Sequence, residues 1–338
     1  MSTSESLHPY AHLTPDCVLD ALSGTGLWPD GRLQALGSYE NRVYQACLDD
    51  GSKVVAKFYR PGRWSEAQIL EEHGFAAELM AAEVPAVGPL ALHGGTLHQH
   101  DGFAFSVSPW RGGRQPELDD FEGLEWIGRF LARIHTVGAA RPFEHRPALD
   151  LETFGTASRD WLLAHDIIPL DVQAAWQAQC EKAIELIAGS AWCTSAGARF
   201  GLKDATPIRL HGDCHPGNLL HRDDAFHVVD LDDCRMGPAV QDLWMMLAGE
   251  RHERLSQLAE LVDGYQEFHD FASRELPLIE GLRALRLMHY SAWLARRWDD
   301  PAFPMSFPWF GTERYWGEQI LMLREQLAAL DEEPLELF

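Results

Sequence analysis

Apolar and polar positions follow one period in the first third of the chain and another in the rest. Over 43–59, "VYQACLDDGSKVVAKFY" alternates with period two around an Asp-Asp-Gly turn, which predicts a hairpin of Val43–Leu48 and Lys53–Tyr59. Upstream, Thr14 as cap, Pro15 in the first turn and a glycine beyond the end predict a short helix over 14–26. Downstream, "SEAQILEEHGFAAELMAAEVPA" places apolar residues at helical spacing after a Ser65 cap and stops before Pro85. Residues 86–110 give more short strands, broken by His-Gly-Gly and His-Gln-His-Asp-Gly turns.

Beyond "PWRGGRQPE" the period becomes helical, over 121–138, 159–190 and 252–298. The strand-like pieces left in that part are Ile208–Leu210, Leu219–Leu220 and His227–Val229. The layout predicts an α+β, two-lobed fold. A small β-rich lobe over 1–110, an antiparallel sheet with one crossing helix, precedes a larger helical lobe over 111–338. A glycine-containing hinge near 108–113 joins them around a shared cleft.

Composition narrows the function. The 338 residues are 46% hydrophobic, with 12 tryptophans and 16 phenylalanines, enough for a substantial core. The 51 acidic against 28 basic side chains give a net charge of −23, which repels phosphate backbones and anionic lipid. Nucleic acid and membrane are therefore not expected partners. Cys17, Cys47, Cys180, Cys193, Cys214 and Cys234 show no Cys-x-x-Cys spacing and read as reduced thiols. The opening MSTSESLHPY has no signal-peptide pattern, and no apolar run nears the ~20 residues of a membrane helix. A soluble, cytoplasmic monomer is expected.

The densest chemistry lies in "RLHGDCHPGNLLHRDDAFHVVDLDD", residues 209–233. A strand leads into Asp213, Asn218 follows five residues later, and a second hairpin strand delivers Asp230. That order suits phosphoryl transfer. One carboxylate accepts the proton of an attacking hydroxyl, while an amide oxygen and a second carboxylate hold magnesium on nucleotide phosphates. The competing reading, a zinc or manganese set of His211, Asp213 and His215, needs further ligands, typically from other strands, and leaves Asn218 and Asp230 unexplained. Asp232 and Asp233 could be additional ligands or, equally, an acidic cluster that neutralises magnesium or binds a basic side chain, and are left out of the site. His211 reads as a residue that fixes the loop by hydrogen bonding. Asp242 begins a helix and is expected to brace the loop. Lys57 is the inward polar residue of an apolar strand and needs a carboxylate partner. On the next helix Glu72 shares the stripe of Ile69, Phe75, Ala76 and Leu79, with Glu71 as second choice. Arg296 and Arg297 could receive a phosphate, although burial against a carboxylate is the commoner use.

"HGDCHPGN" with "VVDLDD" resembles the catalytic core of aminoglycoside phosphotransferase-like kinases, relatives of the protein kinases. "GSYENRVYQ", "KFYRPGRWSEAQILEEHGFAAEL", "GPAVQDLWMML" and "WLARRWDDPAFPMSFPWF" narrow the resemblance to the bacterial stress response kinases, over about residues 9–316. The resemblance implies a Ser/Thr protein kinase using ATP and Mg²⁺. It casts Asp213 as base, Asn218 and Asp230 as metal ligands, Asp230 also as catalytic, and Lys57, Glu72 and Ser38 as ATP-binding. A small-molecule alcohol acceptor, or a nucleotide-sensing pseudokinase, remains the alternative. The nucleotide loop departs from the protein-kinase pattern: "LGSYENRVY" has one glycine, and no Phe-Gly follows Asp230.

Overall fold

The computed structural model describes residues 8–189, 207–222 and 225–337; Cys193 and the first seven residues lie outside them. The chain falls into two compact units. One holds the residues up to Pro116 together with Gly217–Asp232, the other Glu117–Pro216 and Asp233 onward.

The first unit is built on a five-stranded antiparallel sheet in the order β1-β2-β3-β5-β4: β1 Pro29–Ala35, β2 Arg42–Leu48, β3 Lys53–Phe58, β4 His98–His100 and β5 Phe103–Pro109. The expected hairpin pairs Arg42 with Phe58 and Cys47 with Lys53. Helix α1 (Pro15–Gly24) is capped by Thr14, whose hydroxyl accepts from the Cys17 amide. Val18 and Leu22 of α1 pack on Val54, Ala56, Phe58, Phe105 and Val107, with Phe58 and Phe105 stacked at 5.1 Å. Period-two alternation then puts Lys57 on the other face of β3. Helix α2 (Glu66–Ala81) starts with a capping box between Ser65 and Gln68.

The sequence layout placed residues 217–232 in the helical lobe, with the division at 110/111. The division found is at 116/117, and 217–232 returns to the first unit because its strands bond there. Val87 N donates to Val228 O and Val228 N to Pro85 O, while Arg114 and His221 exchange backbone bonds.

In the second unit, β6 (Ile208–Leu210) pairs antiparallel with β9 (Arg235–Gly237). Between them in sequence, and in the first unit, β7 (Leu219–Arg222) pairs with β8 (Ala225–Val228). The helices of the second unit are α3 Phe121–Ala139, α4 Ala157–Ala164, α5 Leu170–Gly189, α6 Val240–Trp244, α7 Arg251–Gln266, α8 Ile279–Ala295, α9 Ala302–Ser306 and α10 Glu313–Leu330. The long pattern at 159–190 is thus two helices, interrupted before Pro169, as the restricted backbone ahead of a proline requires. Helices α3 and α7 approach through glycines: a Cβ on Gly128 would sit 2.0 Å from Leu261 O, and one on Gly264 2.0 Å from Glu125 O. Trp176 and Trp316 meet edge-to-face at 5.7 Å in the core. No helix among the described residues is long and apolar enough to cross a membrane, and Cys17, Cys47, Cys180, Cys214 and Cys234 are free thiols.

Candidate active site

In the first unit, Lys57 stands among three carboxylates: Nζ lies 3.2 Å from Glu72 Oε1, 3.1 Å from Asp230 Oδ1 and 3.0 Å from Asp232 Oδ1. Burial by itself would push the ammonium pKa down. Asp232, Glu72 and Asp230 outweigh it and hold the group well above its usual value, so Lys57 stays charged. Arg63 pairs with Asp232 and lies 3.8 Å from Glu40, whose other oxygen is 3.0 Å from Arg60. Asp232, for which binding a basic side chain was one expectation, is a buried member of this cluster on Lys57 and Arg63. Among Lys57, Arg60, Arg63, Glu40, Glu72, Asp230 and Asp232 the acids outnumber the bases by one, which suits a site that takes up a further cation.

Behind Lys57, the Tyr59 hydroxyl bonds His73 Nε2 at 2.8 Å and Ser106 Oγ at 3.2 Å, and His73 Nδ1 meets Thr96 at 2.8 Å. This chain of bonds locks the ring over which Lys57 Nζ sits at 5.0 Å. Asp230 is the exposed member of the cluster, its side chain 49% accessible, and it adopts φ +59°, a left-handed conformation that Asp tolerates better than most residues. Asn218 is tied to the same strand end, its carbonyl accepting from Val229 N at 3.0 Å. Ser38 Oγ donates to Asn41 O at 3.2 Å and closes the loop between β1 and β2.

In the second unit, Asp213 is partly exposed. Its Oδ1 pairs with Arg286 Nη1 at 2.8 Å, while Oδ2 is 3.7 Å from His215 Nε2. His211 Nδ1 accepts from the Asp213 amide at 3.3 Å, the loop-fixing part expected of it. Beneath this loop lies fully buried Asp242. Its Oδ2 accepts from His211 N at 2.9 Å and stands 3.1 Å from His135 Nε2, and Oδ1 accepts from Gly212 N at 2.9 Å. Burial would raise the Asp242 pKa, but the His135 bond and charge, His211 and the Gly212 amide together lower it, so it is ionised. A carboxylate can only accept, so His135 donates to Asp242 from Nε2, and its Nδ1 meets the Tyr265 hydroxyl at 2.9 Å. Gly212 is obligatory: φ is +84°, and a Cβ would fall 2.3 Å from Asp233 O. Arg286 had no sequence signal, since it reaches Asp213 from a helix 73 residues further on.

A family model described as phosphotransferase enzyme family matches residues 32–285. Stress response kinase A of Escherichia coli (strain K12) is 46% identical over 334 residues, covering 99% of this chain and 98% of that one. Serine/threonine protein kinase RdoA of Salmonella typhimurium (strain LT2) is 43% identical over the same shares. Among solved structures, an amicoumacin kinase in complex with AMP-PNP, Ca²⁺ and Ami has a TM-score of 0.70 at 16% identity, covering 96% of this chain and 95% of that one. A microcompartment-associated aminopropanol kinase has a TM-score of 0.67 at 17% identity, covering 93% and 96%. These two show the shared fold.

Proposed function

The chain belongs to the phosphotransferase enzyme family, and on that premise we propose that this kinase transfers the γ-phosphoryl group of ATP to serine or threonine hydroxyls of protein, in the cytoplasm, as part of a stress response. The observation that carries the reading is the Lys57 cluster: one buried ammonium within 3.2 Å of three carboxylates, with a surplus of acid around it. A structural ion pair needs one partner. A lysine held by Glu72 and surrounded by two further aspartates is what a polyphosphate with a divalent cation requires.

Asn218 and Asp230 offer an amide and a carboxylate oxygen, hard donors that fit Mg²⁺. When bound, Mg²⁺ neutralises phosphate charge. Lys57 binds phosphate oxygens and Glu72 keeps its ammonium aimed. The Ser38 hydroxyl and the amides of its loop cover the phosphates in place of the usual glycines. Asp213 orients the acceptor hydroxyl and takes its proton on Oδ2, because Oδ1 is engaged by Arg286. Phosphoryl transfer asks little of base strength and much of position, so an aspartate already paired with an arginine is adequate.

The test is transfer of labelled phosphate from ATP with Mg²⁺ to the kinase itself, to carrier proteins and to a panel of amino alcohols. Label on protein serine or threonine, lost in Asp213→Asn, is the expected result. Transfer to amino alcohols alone would move the assignment to a metabolite kinase. That second reading is in keeping with the fold neighbours, whose names are those of amicoumacin and aminopropanol kinases.

A further inference from the structure

Helix α8 ends at an arginine for which the reaction above has no use. Arg296 is exposed rather than buried against a carboxylate. Its Nη2 donates to Ala157 O at 3.3 Å, and its guanidinium lies 5.4 Å from the Trp161 ring centre, with Trp161 itself stacked on His165 at 4.0 Å. Among the described residues no carboxylate pairs with it. A guanidinium held over an indole and by one edge is preorganised, and its remaining N–H groups suit a planar anion.

Arg296 does not stand alone. Arg286 lies ten residues earlier on the same helix and holds Asp213 at 2.8 Å. Between them His289 stacks on Phe154 at 4.1 Å, and Arg235 lies 4.9 Å from the Phe154 ring centre while pairing with Asp233 at 2.7 Å. Arg235, Arg286 and Arg296 face two carboxylates, Asp213 and Asp233, so this strip is cationic within a chain whose net charge is −23. Burial of His289, then the charges of Arg235, Arg296 and Arg286 against the opposing Asp233, push its imidazole pKa down to about 3.

We propose that Arg286 and Arg296 read a negative charge on the acceptor, which is then a serine or threonine in a peptide segment bearing an anionic side chain, carboxylate or phosphoryl, about four or five positions from the hydroxyl. This rests on the protein-kinase reading above. The spacing follows from the helix: ten residues at about 1.5 Å span about 15 Å, which an extended peptide covers in four to five residues at about 3.3 Å each. An acceptor carrying a cation beside its hydroxyl would meet Arg286 as a like charge.

The experiment measures fluorescence anisotropy of short labelled peptides on the full-length protein. Each has one serine, and its fifth neighbour is Glu, phosphoserine, Ala or Lys. Label transfer from ATP is followed in parallel. The Glu or phosphoserine peptide should bind about tenfold more tightly than the Ala peptide, the Lys peptide more weakly still. Which of the two anionic peptides wins identifies the source of the charge. Arg296→Glu should erase the preference with the circular dichroism spectrum unchanged, and Arg296→Lys should restore part of it. Equal binding of all peptides, no binding of any, or a preference surviving Arg296→Glu would overturn the proposal. An anion preference in binding without label transfer would leave this strip standing and sink the kinase reading instead.

Discussion

Two aspartates serve the same loop in opposite ways. Asp242 is fully buried and saturated, accepting from His211 N and Gly212 N with His135 against it. Asp213, above it, is a quarter exposed and pairs with Arg286, with His215 3.7 Å from its other carboxylate oxygen. A buried carboxylate that has spent its lone pairs on fixed donors can hold a backbone in shape but has nothing left to offer a ligand. A partly open one still faces solvent and can be reached by a ligand. The difference fits a bracing role for Asp242 and the catalytic role proposed for Asp213.

That division of labour can be broken in order of effect. Asp213→Asn should lower phosphoryl transfer by about 10²–10⁴-fold, yet leave stability within about 0.5 kcal/mol, since it removes only a partly exposed ion pair. Asp242→Ala should do the reverse in kind: it strands two amides and His135, and should cost about 3–5 kcal/mol in urea unfolding. If both variants lose activity and stability together, the comparison fails. Gly264→Ala probes the packing behind the anchor, since Tyr265 beside it holds His135; forcing a Cβ to within 2.0 Å of Glu125 O should cost about 1–3 kcal/mol.

The smallest effect is in pH. The folded pKa of Asp242 is depressed, so the stability it contributes is present above the ordinary carboxylate value and lost as pH falls through the folded one. For His289 the folded value is about 3, against about 6.5 when unfolded. The unfolded chain therefore takes up the proton first, and stability declines as pH drops from about 6.5 toward 3. Urea unfolding at pH 7 and pH 5 should differ by about 2 kcal/mol on this account, and His289→Phe should flatten that slope.

Much of this was readable in the chain because it is local. The hairpin at 43–59, the Thr14 and Ser65 caps and Ile208–Leu210 follow from period and spacing within a few residues of each other. Glu72 could be chosen over Glu71 because helical spacing alone decides which faces the apolar stripe. Three features needed the third dimension. Lys57 meets Asp230 across 173 residues. Asp232 and Arg63 meet across 169 residues, and Arg286 meets Asp213 across 73. No periodic signal joins residues so far apart. Arg296 misled because arginine in an aromatic-rich segment is usually buried and paired, and here indole stacking leaves it open to solvent.

The order in which the chain is made gives the return of residues 217–232 a further meaning. Neither unit is a continuous stretch, and 100 residues separate Pro116 from Gly217. At a synthesis rate of about 5–20 residues per second, the sheet of the first unit waits about 5–20 s for the strands that bond to Pro85 and Val87. Until then a nascent chain has Lys57 and Glu72 but neither Asp230 nor Asp232. Half-made protein is thus denied the acid surplus on which nucleotide and metal are proposed to settle, and the timing of translation itself keeps the site silent.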